Sequence, residues 1–201
     1  EVSLPAASVG GPREFGTDRR ARFSNAFDRA YEATGAASMT AAVLTDERLW
    51  SEQRGAPEGQ LHYWASVGKV VTAAAILQLE TEGRVSLEDR IGAYIEGVPH
   101  GDLITLRMLL NHTSGLFSAN EDEAVRERAA PLSLEEELAI LRSRGAYACP
   151  GAAWRYSNSG YQLLGAVIEQ VTGTPFHTAA QSLVLDHSRA EAIRVLSRDA
   201  D

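Results

Sequence analysis

Tyr63-Trp64-Ala65-Ser66-Val67-Gly68-Lys69 runs without a break into Val70-Val71-Thr72-Ala73-Ala74-Ala75-Ile76-Leu77-Gln78-Leu79. Val70, Ala73, Ala74 and Leu77 recur at helical spacing, and Gly83 stands where such a helix can stop, so a helix is expected over residues 66–82. Ser66 and Lys69 are then three apart at its start, on one face and one turn from each other. The unpaired N–H groups of that turn favour negative charge nearby. A serine hydroxyl is a poor nucleophile until a base takes its proton. A lysine amine accepts that proton when burial or a neighbouring cation depresses its pKa. The pair therefore suits acyl transfer. Taken alone, S-x-x-K also arises by chance, with the serine an N-cap and the lysine a surface residue.

Upstream, residues 1–16 hold Pro5, Gly10, Gly11, Pro12 and Gly16 and read as an irregular lead-in. A helix is expected from Asp18 to Thr34, capped by Thr17 and ended by Gly35, with Phe23, Phe27, Ala30 and Tyr31 on one face. Residues 37–45 read as a strand, Thr45-Asp46-Glu47 as a turn and residues 48–54 as the return strand. A lone hairpin is marginal in water, so helices must cover it or further strands must join it. Downstream the pattern is mainly helical. Ser86-Leu87-Glu88-Asp89 resembles a capping box opening a short helix, residues 104–110 read as another, and Ser133 with Glu136 opens a helix reaching Ser143. Residues 117–131 mix charge with alanine and read as a solvated loop or lid. Tyr161, Leu164, Ile168 and Val171 stripe a further helix that stops at Gly173, with Pro175 beyond, and residues 176–201 read as a helical tail. The organisation is thus a lead-in (1–16), a helix and hairpin of an α/β part (17–60), a mainly helical part (61–175) and a tail of unassigned role (176–201).

The 201 residues include 19 Lys and Arg and 27 Asp and Glu, a net charge of −8. A negative surface repels phosphate backbones, which argues against nucleic acid as a partner. Cys149, the single cysteine, cannot close an internal disulfide and reads as a small packed hydrophobe. The longest apolar stretch, Val70–Leu79, is too short to span a bilayer, so no transmembrane segment is expected. No charged-then-apolar segment opens the chain, and Glu1 in place of Met implies a processed or trimmed start. His62, His100, His112, His177 and His187 are scattered, with neither H-E-x-x-H nor cysteine partners, so no metal and no cofactor is expected. There is no G-x-S-x-G elbow. Trp50, Trp64 and Trp154 can line a cleft, although tryptophan more often simply packs.

Tyr156-Ser157-Asn158 follows Pro150-Gly151 and Trp154 and precedes a helix. Such a loop can aim side chains into a cleft. Tyr156 can share a proton with Lys69 and Ser66 and later protonate a leaving group. Asn158 can donate to, and accept from, a substrate amide. The plainer reading is that Asn158 caps the helix and Tyr156 packs.

Both segments, with Glu82-Gly83-Arg84-Val85-Ser86-Leu87-Glu88-Asp89, Asn111-His112-Thr113-Ser114-Gly115-Leu116 and Val171-Thr172-Gly173, resemble the serine β-lactamase and penicillin-binding family, in its class C β-lactamase and D,D-peptidase branch. The resemblance runs from about Ala37 to Pro175. It implies an α/β (α+β) fold of the β-lactamase/transpeptidase type, with a helical domain carrying the nucleophile beside an antiparallel sheet covered by helices. It implies Ser66 as the nucleophile of an acyl-enzyme, Lys69 and Tyr156 as the proton-handling pair and Asn158 as a substrate contact. His112, within the matched text, reads as part of a structural turn. The expected substrates are small molecules or peptides: β-lactams, D-Ala-D-Ala peptides, D-amino-acid amides or small esters. A periplasmic or secreted setting is favoured by the resemblance alone. The family's third motif, K-T-G or H-x-G on a late strand, does not occur after Tyr156, so the sheet is expected to be incomplete in this chain. The other reading is a catalytically poor or truncated homologue that binds a ligand or partner chain, with an exposed sheet edge open to self-association.

Overall fold

The hairpin expected from residues 37–54 forms, and it gains a third strand. The structure, a computed structural model, describes residues 13–55, 57, 60–126, 128, 130–188 and 193–196. It divides into two compact units, Glu1–Tyr63 and Trp64–Asp201.

In the first unit, β2 (Met39–Leu44) pairs antiparallel with β3 (Arg48–Arg54), from Met39 opposite Arg54 to Leu44 opposite Leu49. Arg13–Glu14, expected within the irregular lead-in, is instead a short strand, β1, pairing parallel to the start of β3. The sheet order is β1-β3-β2. Along β2 the side chains alternate, and Met39, Ala41 and Val43 face inward. Helix α1 (Thr17–Thr34) lays Phe23 and Phe27 against Trp50, with ring centroids 5.4 and 6.0 Å apart, and Phe15 closes the cluster. That cluster is the unit's core, and it answers the requirement that the hairpin be covered. Gly16, not Thr17, occupies the N-cap, and no side chain caps the helix. Ala30 is exposed, because Phe27 already completes the inward face. Gly35 ends the helix in the left-handed conformation at φ +62°.

The second unit is helical. A 3₁₀ turn, Ala65–Gly68, leads into α2 (Lys69–Thr81). The buried face of α2 is Val71, Thr72, Ala75, Ile76 and Leu79, whereas Val70 is 66% and Leu77 47% exposed. The expected stripe therefore lies on the opposite side of the helix, with Ala73 and Ala74 half-buried at its margins. Apolar residues surround nearly the whole helix, so spacing alone does not single out a face. Helix α6 (Asn158–Thr172) lies at the centre, burying Leu163, Leu164, Val167 and Ile168 against α2, α3 (Leu106–Leu110), α5 (Leu134–Arg144) and α7 (Phe176–Ala180). Each such side chain contributes about 1.5–3 kcal/mol. The Ser133/Glu136 capping box opens α5, and Thr105 caps α3 by accepting the Met108 N–H. Gly173 ends α6 at φ +70°.

Three expectations change here. Ser86–Asp89 forms a turn, not a helix: Ser86 Oγ accepts the Glu88 N–H and not that of Asp89, so the box is only half made, and Arg90 directly after it is extended. Residues 117–122 are not a solvated loop. Leu116, Ser118 and Ala119 are buried, Ala119–Glu121 forms a 3₁₀ turn, and α4 (Glu123–Arg126) follows. Cys149 is exposed, because the loop after α5 has no core beneath it at that point. Beyond α7 a π-helical turn, Gln181–Leu185, continues the tail, and residues 189–192 and 197–201 of the expected helix lie outside the described residues. Among the described residues no helix is long and apolar enough to cross a membrane.

Gly115 is held at φ +74°, and a Cβ added there would penetrate the carbonyl oxygen of Ala148. Its own carbonyl accepts the Tyr147 N–H at 2.8 Å. Gly115→Ala is expected to cost at least about 2 kcal/mol in denaturant melts, through strain and loss of this close approach. A second prediction concerns acid stability. Tyr94 Oη donates to Asp89 Oδ2 at 2.6 Å. Burial, with Asp89 beside it, pushes the Tyr94 phenol up to about 12. The Tyr94 and Ser86 hydrogen bonds hold the Asp89 carboxyl below the usual range. A carboxyl depressed in the folded state stabilises the fold above its unfolded pKa, and that contribution is lost as pH falls through the folded value. Tyr94→Phe should therefore move the acid unfolding midpoint, followed by circular dichroism, to higher pH.

Candidate active site

The site is built from the first turns of α2 and α6. Ser66 lies in the 3₁₀ turn, directly after Ala65, whose φ of +45° is unusual for a residue with a Cβ. Lys69 is the first residue of α2, so the S-x-x-K spacing brings both side chains to one side: Lys69 Nζ donates to Ser66 Oγ at 3.2 Å. Lys69 Nζ also donates to Asn158 Oδ1 at 2.7 Å, and Tyr156 Oη donates to Ser66 Oγ at 2.8 Å. The four residues expected at the site thus meet in one hydrogen-bonded group, although 90 positions separate Ser66 from Tyr156.

Electrostatics follow from this arrangement. The Lys69 ammonium stands 5.1 Å from the ring centroid of Tyr156 and 5.6 Å from that of Tyr161, within cation–π reach of both. Burial works to raise the Tyr156 phenol, but hydrogen bonding with Lys69 and Ser66 and the Lys69 charge outweigh it, and the phenol titrates below the ordinary tyrosine range. Once Tyr156 is deprotonated, the Ser66–Tyr156 bond reverses and Ser66 Oγ–H becomes the donor. Tyr156 is 36% exposed and Ser66 is exposed, so the group is open to solvent on one side.

Asn158 does not cap α6. Ser157 does, its Oγ accepting the Gly160 N–H at 3.3 Å. The Asn158 side chain is thereby free of the backbone. Its Oδ1 faces Lys69, which can only donate, and this orients the amide: Nδ2 is the end turned away, donating to Asn120 Oδ1 at 2.8 Å. The expectation that Asn158 both donates to and accepts from a substrate is narrowed, because its oxygen already serves Lys69.

Three contributors escape the sequence reading. Ser118 Oγ accepts the Asn158 backbone N–H at 2.9 Å and donates to Asn120 Oδ1 at 2.6 Å. Buried Ser159 accepts the Ala119 N–H at 2.8 Å and pins that segment to α6. The signal available was the uncharged run Leu116-Phe117-Ser118-Ala119-Asn120, which differs from the charged residues after it. Glu121 accepts from Tyr147 Oη at 2.7 Å and Arg155 Nη2 at 2.9 Å, and these bonds hold its carboxyl below the usual range. Trp154 is exposed next to the site, and Trp50 packs in the first unit's core. Among the described residues, no group of three or more His, Cys, Asp or Glu side chains could hold a metal ion.

Comparison with known proteins follows the same lines. The family model described as Beta-lactamase matches residues 23–192. Penicillin-binding protein 4* of Bacillus subtilis (strain 168) is 32% identical over 157 residues, covering 74% of this chain and 33% of that protein. Esterase EstB of Burkholderia gladioli is 30% identical over 210 residues, covering 90% of this chain and 53% of that one. Among solved structures, a D-stereospecific amidohydrolase from Streptomyces sp. superposes with a TM-score of 0.69 at 32% identity, covering 78% of this chain and 51% of that one. The chain spans from about a third to about half of the length of these relatives. Its architecture is the β-lactamase/transpeptidase-like α+β fold, with a small sheet that is not closed. On the match of residues 23–192, the chain belongs to the beta-lactamase family.

Proposed function

We propose that this chain carries the acylating machinery of a serine hydrolase that cleaves an amide or ester bond through an acyl-enzyme on Ser66. The observation that carries the reading is the continuous hydrogen-bonded chain Tyr156 Oη–Ser66 Oγ–Lys69 Nζ–Asn158 Oδ1, its three links 2.8, 3.2 and 2.7 Å long. Tyr156 is the base, and the Lys69 charge beside it favours the phenolate. The Ser66 proton passes to Tyr156 Oη as Oγ bonds to the substrate carbonyl carbon. The carbonyl oxygen takes the electron pair and is met by the Ser66 backbone N–H. Collapse of that intermediate breaks the bond to the leaving group, which takes the proton from Tyr156, and the acyl group stays on Ser66. Water then attacks the ester carbonyl, losing its proton to Tyr156 Oη; the bond to Ser66 Oγ breaks, Oγ takes that proton, and the acid is released. Asn158 Nδ2 offers a donor to a substrate carbonyl. Penicillin-binding proteins, an esterase and a D-stereospecific amidohydrolase among the relatives support small amides and esters as the substrate class.

A second reading is ligand or partner binding with little turnover. The edge of β2, unpaired among the described residues, offers backbone groups to another chain.

Mass spectrometry after exposure to a fluorophosphonate or a penicillin should show one adduct on Ser66, absent from Ser66→Ala. An unlabelled protein, or equal labelling of the variant, would sink the acyl-enzyme. A labelled protein without turnover, associated in light scattering, would favour the second reading. Tyr156→Phe should slow labelling by about 10²–10⁴. Because the deprotonated phenol is the reactive form, labelling should fall about tenfold per unit as pH drops below the pKa of Tyr156, itself below the ordinary tyrosine range. A flat profile from mildly acidic to mildly alkaline pH would remove Tyr156 from the role.

A further inference from the structure

The geometry points to His112 as the positioning residue for Tyr156, its carbonyl and its ring Nδ1 gripping the backbone on either side of the phenol; the inference rests on the acyl-enzyme reading. The Arg155 N–H donates to the His112 carbonyl at 2.9 Å, and the Ser157 N–H donates to His112 Nδ1 at 3.3 Å. The residue between these two donors is Tyr156. Its ring lies over the imidazole, with centroids 4.5 Å apart and planes inclined at 38°. Tyr161 flanks the imidazole at 5.2 Å and Trp154 meets it edge-on at 6.2 Å. His112 therefore touches the tyrosine at three points: before it, after it and across its ring.

The loop carrying Tyr156 needs such a support. Residues 152–157 belong to no helix or strand, so no ladder of backbone hydrogen bonds sets the position of the phenol. Yet Tyr156 Oη must stay within reach of Ser66 Oγ, now 2.8 Å away. His112 can serve because its own backbone is held at φ +62°, in the left-handed region. Thr113 fixes that bend: its N–H donates to the Met108 carbonyl at 2.9 Å and to Asn111 Oδ1 at 3.1 Å.

The bond from Ser157 also assigns the protonation of the ring. A backbone N–H can only donate, so Nδ1 must present its lone pair, and the imidazole is the neutral tautomer with its proton on Nε2. The groups around it agree with this. Burial among the rings, with the Lys69 ammonium nearby, holds His112 below the ordinary imidazole range, so the acceptor persists at neutral pH. The phenols of Tyr156 and Tyr161 are the other ionisable groups against it, from the loop and from α6, whereas the Arg155 guanidinium lies on Glu121 and the Tyr147 ring.

Two substitutions that tolerate the left-handed backbone separate positioning from packing. His112→Asn carries an oxygen close to the place of Nδ1, and asparagine enters the left-handed region readily. His112→Gly keeps the carbonyl and the bend but has no acceptor. His112→Gly should slow Ser66 labelling by fluorophosphonate about 10–100-fold, whereas His112→Asn should recover to within about threefold of the parent. A second readout needs no activity. With ¹³Cζ-tyrosine and Tyr156→Phe for assignment, the NMR titration of Tyr156 should lie below the ordinary tyrosine range in the parent and in His112→Asn. It should return toward that range in His112→Gly. Should His112→Gly fail to melt cooperatively, His112→Gln replaces it, since its acceptor is one bond too far out, and the same losses are expected. Parent-like rate and titration in His112→Gly, or an Asn variant as impaired as the Gly variant, would overturn the inference. If the parent itself is not labelled at Ser66, the acyl-enzyme reading fails, and the Tyr156 titration still decides the role of His112.

Discussion

Lys69 brings an ammonium group to a half-buried position, and a charge removed from water must be met by polar partners. Asn158 Oδ1 accepts one of its hydrogens and Ser66 Oγ another, and the faces of Tyr156 and Tyr161 meet the rest. These partners come from the 3₁₀ turn before α2, from the first two turns of α6 and from the loop before α6. Satisfying one cation thus requires the beginnings of two helices to lie side by side. Both helix starts present partial positive charge. The resulting field favours an anionic phenol at Tyr156.

The core makes that placement rigid. Leu163, Leu164, Val167 and Ile168 fix α6 against α2 and α3, so the starts of the helices cannot slide without opening cavities. The loops are secured differently, by a few backbone bonds at bends that few residues adopt. Gly115 and His112, both left-handed, turn the chain after α3 so that its carbonyls and one imidazole meet the segment from Tyr147 to Ser157. Strain at such bends is tolerated where the surroundings over-determine them. Of the three such non-glycine residues among those described, Ala65 and His112 lie beside the serine and the tyrosine, and His100 lies elsewhere.

Much of this was open to reading in the chain itself. The helix ends at Gly35 and Gly173, the Ser133/Glu136 box and the hairpin around Asp46 depend on local rules that act over three or four residues. Errors arose where the local signal was balanced. In α2 apolar residues nearly encircle the helix, so only the position of α6 decided that Ile76 and Leu79 face inward and Val70 outward. Ser86–Asp89 satisfies the pattern of a capping box, yet Ser86 Oγ took the Glu88 N–H and Arg90 went extended, so the turn did not grow into a helix. Residues 117–122 looked solvated because of the charges that follow them, but Ser118 and Ala119 are held by Asn158 and Ser159, some 40 residues later.

By itself the sequence determined the identity and order of the candidate site residues: a serine three residues before a lysine at a helix start, and a tyrosine two residues before an asparagine at another. Those are short-range facts, fixed by the 3.6-residue turn and by the residues that can open a helix. Only the tertiary structure decided that the two helix starts meet, that Asn158 gives its oxygen to Lys69, and that His112 grips the loop on both sides of Tyr156. Each of these joins residues more than forty positions apart, and no local preference encodes such a distance. The packing of α6 against α2 and α3 brings them together, and the need to pair every buried donor and charge selects which atoms face one another.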